Sequence, residues 1–248
     1  MAGNIATPGT AVVSRAAAVL FTFDDQHRRQ RLTEIASRAT LPVPTTYRLL
    51  RDLVAVGALV KRANGEYTVG RRLWEIGLLA PVQSLSEVCS PFLIDIHAAT
   101  GATVHLAIRE RTNVLYLDRV SGRTSVPIVS TVGSRLPMHA TGVGKVLLAH
   151  AAPEIVERVL QSLQRMTPHT ITDPRLLRRQ LSRVRLDGFA TTADEMSLGA
   201  ASLAVPIKAG PERDVVAAIG VVVPSLRRDR ARLLSALQVA ALGIARSL

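Results

Sequence analysis

Arg48 and Arg51 stand three residues apart in VPTTYRLLRDLVAV, a stretch whose apolar residues repeat at helical spacing. At about 100° per residue, Thr46, Leu49, Leu50, Leu53, Val54 and Val56 share one face; Pro44, Arg48, Arg51 and Ala55 line the opposite one, flanked by Thr45 and Tyr47. The apolar face has to pack on something, so the arginine ridge points outward. Such a ridge suits a DNA major groove, where Arg can be bidentate to guanine and hydroxyls reach phosphates. Taken alone, two arginines on a solvated helix face are ordinary surface.

The elements around the ridge change that balance. Leu32, Ile35, Ala36 and Ala39 give the core stripe of a preceding helix with Thr33 as its expected N-cap, and Leu41-Pro42 supplies a tight turn. Pro44 falls in the first turn of the second helix, where its missing N–H costs nothing. Upstream, Val13, Ala16, Ala17, Leu20 and Phe23 predict a helix from Val12 to about Phe23, and DDQHRRQ reads as a connection. Downstream, Leu59 to Arg62 and Glu66 to Val69 flank Asn64-Gly65, a strong hairpin signal. Three helices and a hairpin make a winged helix-turn-helix, with Lys61 and Arg62 on the wing. The candidate DNA contacts are Thr33, Pro44, Thr45, Thr46, Tyr47, Arg48, Arg51, Lys61 and Arg62.

Composition bounds the rest. A chain of 248 residues, 48% of them hydrophobic, can bury two modest cores. Thirty-one basic against 19 acidic residues leave a net charge of +12, which favours polyanionic partners. Only Lys61, Lys145 and Lys208 are lysine, so the arginine bias also fits GC-rich coding and the charge is discounted accordingly. Cys89 is the single cysteine, which excludes disulfides and CxxC sites and suits a reducing cytoplasm. Neither a signal-peptide pattern nor an apolar run of about 18 residues occurs, so neither export nor membrane insertion is expected.

The domain boundaries follow: a disordered tail over 1–10, the winged domain over 11–70, a linker helix over 71–83, and a second domain over 84–248. RRLWEIGLLA (71–80) reads as a helix ending at Pro81, with Trp74 as core or interface packing. A helix over about 84–99 leads to strands over 103–109, 114–120 and 126–131, helices over about 139–150, 153–163 and 174–186, strands over 201–208 and 215–223, and a closing helix from about Leu226. That is an α+β sandwich.

LPMHATGVG (136–144) is where ligand chemistry is expected. Gly142 and Gly144 remove bulk at a helix start, so backbone N–H groups and the positive end of the helix dipole can meet a carboxylate, or the glycines serve only to pack the helix on the sheet. The string is not a phosphate-binding loop, because GxxxxGK[ST] needs glycine where His139 stands and Ser or Thr where Val146 stands. No nucleotide hydrolysis is predicted. His139 has no evident catalytic partner, the six histidines lack HxxxH or HExxH spacing, and Asp194 and Glu195 are adjacent rather than facing. Catalytic residues, metals and cofactors are therefore not expected, and the chain reads as a non-enzyme.

SRAAAVLFTF, LTEIASRATLPVPTTYRLLRDLVAVGAL and GEYTVGRRLWEIG together resemble the DNA-binding domain of the IclR (isocitrate lyase regulator) family of bacterial transcription factors. RLPMHATGVGKVLLA (135–149) and GFATTADEMSLGAASLAVPI (188–207) resemble that family's two effector-domain signatures, so the likeness runs from about Val12 to Leu248. It implies a GAF-like α/β effector-binding and oligomerisation domain, a palindromic double-stranded operator, and a homodimer or dimer of dimers. It also implies an effector cavity. Carried over by position, this nominates Ile128, Met138, Gly142, Val143, Thr192, Ser202, Gly220 and Val222, with His139, Ala140 and Thr141 of the same loop. Members that bind small polar acids place an acidic residue in the turn and serines on the last strand; here Thr192, Gly220 and Val222 stand there. Missing polar partners penalise a small hydrated ligand, so an aromatic or branched carboxylate is expected. Repression is the expected sign. A GAF-like enzyme and a protein-binding regulator without DNA contact are the competing readings; the second predicts that Arg48→Ala and Arg51→Ala change nothing.

Overall fold

The computed structural model describes residues 12–24, 26–122, 129–212 and 214–248, and the chain divides into two compact units between Gln83 and Ser84. The tail expected over 1–10 lies outside the described residues.

In the first unit, α1 (Val12–Leu20), α2 (Leu32–Arg38) and α3 (Val43–Ala55) precede an antiparallel hairpin, β1 (Leu59–Lys61) with β2 (Tyr67–Val69), and α4 (Arg71–Gly77). Val19, Ile35, Leu49, Leu50, Leu59 and Tyr67 form its core. α1 is shorter than its periodicity predicts: Thr22 Oγ1 donates to the Val19 carbonyl at 2.8 Å, Val13 is exposed, and Val19 takes the central buried place. Thr33 does not cap α2. Arg31 is the N-cap, and its N–H donates to the Glu34 carboxylate at 2.6 Å.

Both helices of the central pair end in the same motif. After α2, Leu41 N–H returns to the Ala36 carbonyl and Thr40 N–H to Ser37; after α3, Ala58 N–H returns to Leu53 and Gly57 N–H to Val54. The left-handed corner is glycine in one case, Gly57 at φ +75°, and a β-branched residue in the other, Thr40 at φ +56°. The hairpin turns through three residues: Arg62 N–H donates to the Glu66 carbonyl at 2.7 Å and Gly65 sits at φ +83°. Gln30, inside the stretch read as a connection, exchanges both backbone hydrogen bonds with Tyr67 and widens the wing. Trp74 is 61% exposed, so it is no part of this core.

α4 stops at Gly77 and Pro81 opens the next helix, α5 (Pro81–Thr100), rather than closing the linker helix predicted over 71–80. A proline costs least in a first helical turn. β3 (Thr103–Glu110), β4 (Asn113–Val120), β5 (Arg135–Pro137), a 3-10 turn at Met138–Ala140, α6 (Gly142–Ala149), α7 (Pro153–Leu160), α8 (Pro174–Asp187), β6 (Ala190–Ala193), β7 (Ala201–Ala209), β8 (Asp214–Val223) and α9 (Arg230–Ser247) follow. The strands form one antiparallel sheet in the order β5-β4-β3-β8-β7-β6. Side chains alternate faces along each strand, and both faces are covered. Leu106, Leu203 and Ile219 pack with Leu93 and Ile96 of α5 and Leu237 of α9; Ala107, Ala204 and Ala218 pack with Val146 of α6, Val159 of α7 and Leu177 of α8.

Several boundaries differ from the sequence reading. Residues 126–128 of the predicted third strand lie outside the described residues, and 129–131 are not strand: Ser134 N–H returns to Thr131 O around Gly133 at φ +84°. On the side away from β3, β4 pairs with β5, which is too short to show a period. β6 also carried no sequence signal, and the last helix starts at Arg230, four residues after Leu226.

Candidate DNA-contact face and ligand cavity

α3 exposes Pro44, Arg48, Arg51 and Ala55 on one side and buries Thr46, Leu49 and Leu50 on the other. Tyr47 is exposed and Thr45 is half-buried. Thr46 must be struck from the contact set: its side chain has no solvent contact, and Oγ1 donates to the Pro42 carbonyl at 3.1 Å. A threonine on the apolar face satisfies its hydroxyl inside the helix. Arg51 donates Nε and Nη2 to the neighbouring Asp52 carboxylate at 3.1 and 3.0 Å, an exposed pair of the kind that holds weakly. Thr33, Lys61 and Arg62 are exposed, and Lys61 Nζ lies 5.8 Å from the centre of the Tyr67 ring. Arg28, Arg29 and Arg31 are exposed basic residues just before α2 that the candidate set omits; their run in the sequence was the available signal.

In the second unit a cavity opens between the sheet and the start of α6. Ala140, Thr141, Gly142, Val143, Thr192, Ser202, Gly220 and Val222 line it as nominated. Met138 and His139 do not. Met138 is fully buried in the α6 core, and His139 gives a ring nitrogen to the Gln164 carbonyl at 2.8 Å, burial holding its pKa below the usual histidine value. Ile128 lies outside the described residues. His105, Tyr116, Ser130, Leu136 and Met196 line the cavity without having been nominated. Leu136, on β5, and Met196 fall inside the two signature stretches, whereas His105, Tyr116 and Ser130 come from β3, β4 and a loop that no motif flags.

The glycines of the loop are spacing elements. A Cβ on Gly142 would come within 2.6 Å of Ser202 Oγ, and one on Gly144 would run into the Met138 carbonyl and Cα. Glycine thus lets α6 touch β7. The N–H groups are not open to an anion as the sequence suggested: Gly142 N–H donates to Ser202 Oγ at 3.2 Å and Gly144 N–H to the capping Thr141 Oγ1 at 3.1 Å. Ser202 Oγ also lies 2.6 Å from Thr192 Oγ1, so this end of the cavity offers two hydroxyls beside a helix N-terminus.

Opposite stands a second polar group. Ser130 Oγ lies 2.8 Å from His105 Nε2, and the imidazole meets the Tyr116 ring edge-on at 5.1 Å between centres. Burial, aided by Arg119, pushes His105 down to about 3, and burial raises the Tyr116 phenol. A serine beside a histidine is also a nucleophile–base geometry. Here the imidazole is too weak a base to hold a proton near neutrality, and among the described residues no carboxylate hydrogen-bonds its ring.

Behind the cavity wall Lys145 Nζ donates to Glu195 Oε1 at 2.6 Å and to Gln180 Oε1 at 2.8 Å. Burial raises Glu195 and lowers Lys145, each opposed by the attraction of its partner. Thr167 and Thr170 hydroxyls hold the Asp194 and Glu195 carbonyls at 2.5 and 2.7 Å. Among the described residues no three His, Cys, Asp or Glu gather as a metal requires, and no single helix is long and apolar enough to cross a membrane.

Comparison with known proteins agrees over both units. Residues 12–63 match the IclR helix-turn-helix domain, and residues 80–246 match the bacterial transcriptional regulator IclR C-terminal domain. The chain is 30% identical to the HTH-type transcriptional regulator XynR of Escherichia coli K12, covering 95% of this chain and 96% of that one. It is 29% identical to the HTH-type transcriptional repressor AllR of the same strain, over 93% and 86%. Among solved structures, an IclR homolog of Microbacterium hydrocarbonoxydans complexed with 4-hydroxybenzoate superposes with a TM-score of 0.91 at 34% identity, over 95% and 98%. The chain therefore belongs to the IclR family of helix-turn-helix transcriptional regulators.

Proposed function

We propose that α3 enters the major groove of a palindromic operator, that Arg48 and Arg51 read bases, and that Thr33, Thr45, Tyr47, Lys61 and Arg62 contact phosphates. One winged unit reads few base pairs, and a two-fold protein doubles the site. Exposed apolar residues in the first unit, among them Phe21, Trp74, Ile76 and Leu79, fit burial against a second copy. Repression is the favoured sign, as in AllR.

The effector is an aromatic carboxylic acid bound in the cavity of the second unit. The observation that carries this is the lining itself: Leu136, Val143, Met196 and Val222 supply apolar wall, with only a few neutral hydroxyl and imidazole groups between them. A two- or three-carbon acid would leave that wall wet and its own hydrogen bonds unmade. The 4-hydroxybenzoate complex of the Microbacterium homolog supports a ring acid in this fold. The cavity performs no catalytic step, and the acid acts by differing in affinity for DNA-competent and DNA-incompetent forms. Calorimetric titration of the full chain with aromatic and short aliphatic acids tests this. Binding of a benzoate-type acid is expected; binding of lactate or glyoxylate alone overturns it.

A further inference from the structure

Every described acidic side chain of the first unit is already engaged. Asp24 accepts from His27 Nδ1 at 2.7 Å and Arg38 Nη2 at 2.6 Å, and Glu34 accepts from the Arg31 backbone N–H. Asp52 is paired with Arg51, Glu66 with the Asn64 amide and Glu75 with Arg71. The guanidinium groups of Arg29 and Arg31 are left exposed and, among the described residues, in no ion pair. Two exposed arginines are ordinarily a solvated face, unless the fold holds them where an anion must pass.

Here the fold holds them. Gln30, between the two, is 2% exposed. Its N–H donates to the Tyr67 carbonyl at 3.2 Å, the Tyr67 N–H returns to its carbonyl at 2.8 Å, and its side-chain amide donates to the Thr22 and His27 carbonyls at 3.0 and 3.3 Å. Arg38 Nη2 also donates to the Thr22 carbonyl at 3.0 Å, which ties the start of this segment to α2. Gln30 thus acts as a third strand beside β2, and Tyr67 in turn faces Lys61 on β1. Residues opposite one another share a face of a sheet, and neighbours along a strand alternate. Gln30 and Tyr67 point inward, so Arg29 and Arg31 stand on the outer face of the wing with Arg62, the residue after Lys61.

We propose that Arg29 and Arg31 grip backbone phosphates of the operator beside the wing, making its outer face, with Arg62, a clamp that positions α3 in the groove. This rests on the DNA-reading assignment and extends the contact surface to a segment outside the helix-turn-helix. The guanidinium fork matches phosphate oxygens, and the backbone beneath it is ordered before DNA arrives, so binding immobilises side chains only. Such contacts strengthen binding and carry no sequence information. An acidic protein would meet the same arginines; DNA is favoured because α3 of the same unit carries the base-reading ridge.

The test is binding of the full chain to a duplex that the wild type selects from random sequences, and to an unrelated duplex, across salt concentrations. The variants are Arg29→Gln, Arg31→Gln, both together, the double replacement Arg29→Lys, Arg31→Lys, and Arg179→Gln, which makes the same charge change at an exposed site of the second unit. Arg31→Gln keeps the backbone N–H that binds Glu34, so melting temperatures are expected to be unchanged. A two-fold protein uses each residue twice, so the slope of log affinity against log salt should fall by about 1.8 in each Gln variant and about 3.6 in the double. The two duplexes should lose affinity alike, their ratio staying within about twofold, whereas Arg48→Ala lowers that ratio about fivefold or more. The lysine pair should keep most of the slope, and Arg179→Gln all of it. An unchanged slope in the double Gln variant, or an equal fall in Arg179→Gln, overturns the inference and leaves the DNA-reading assignment standing. A wild type that selects no duplex overturns both.

Discussion

Lys145 and Glu195, 50 positions apart, meet at 2.6 Å with side chains 1% and 7% exposed. Gly142 and Val143 precede the lysine and Met196 and Ser197 follow the glutamate, so one ion pair joins two walls of the cavity. Replacing one member leaves an uncompensated buried charge. Lys145→Met or Glu195→Gln is expected to cost about 3–5 kcal/mol in urea unfolding, and the double replacement Lys145→Met, Glu195→Leu less than the sum. Single losses below about 1 kcal/mol would show the pair to be solvated.

His105, His139 and His150 all have folded pKa values below the unfolded histidine value, each chiefly through burial. A depressed pKa means the unfolded chain binds the proton more readily. Stability is then full above about pH 6.5 and is lost as pH falls, for His105 down to about 3. Unfolding free energies from urea melts are expected to drop between pH 7.5 and 5, by up to about 1.4 kcal/mol per pH unit for each of the buried His105 and His139, with the exposed His150 adding little. His105→Gln should flatten the slope by about one proton; an unchanged slope would mean that His105 is not the neutral group described.

Thr40 and Gly57 occupy equivalent corners at φ +56° and +75°. A β-branched residue there is strained, whereas glycine is not. Thr40 is exposed, so Thr40→Gly loses little packing and is expected to gain about 0.5–1 kcal/mol, while Gly57→Ala loses about 1 kcal/mol. Thermal unfolding of the two variants decides it, and the same sign for both would contradict the assignment of strain.

Arg48→Ala and Arg51→Ala, both at exposed positions, should leave the melting temperature unchanged and cost about 1–3 kcal/mol each in operator affinity. Thr46→Val is expected to behave oppositely, altering stability and sparing DNA binding. Gel-shift titrations beside melting curves separate the two kinds of effect.

How much of this was legible in the sequence follows from which forces are local. The faces of α3 and the Asn64-Gly65 hairpin were readable because periodicity and turn residues report backbone geometry directly. The left-handed corners at Thr40 and Gly57 were not read, and at Thr40 the fold holds a residue where propensity would not put it. Thr46 was read from the correct face of the helix and still counted as a contact, because its type was weighed above its face. In the cavity, the glycine-rich loop was visible as a motif, but His105, Tyr116 and Ser130 arrive from β3, β4 and a loop through strand pairing. The buried Lys145–Glu195 pair was hidden for the same reason: two charged residues 50 positions apart read as surface until the chain brings them together.

The central claim is that a DNA-reading unit is governed by an acid bound in the second unit. The most direct measurement is binding of the full chain to DNA from upstream of its own gene, across salt concentrations, with and without 4-hydroxybenzoate. Sequence-selective binding is expected, weakening on the order of 10³-fold between 50 and 200 mM salt if about six phosphates are contacted. The acid should shift it by about tenfold. Absence of selective binding at any salt would contradict the DNA-reading assignment, and selective binding indifferent to every aromatic acid would contradict the coupling.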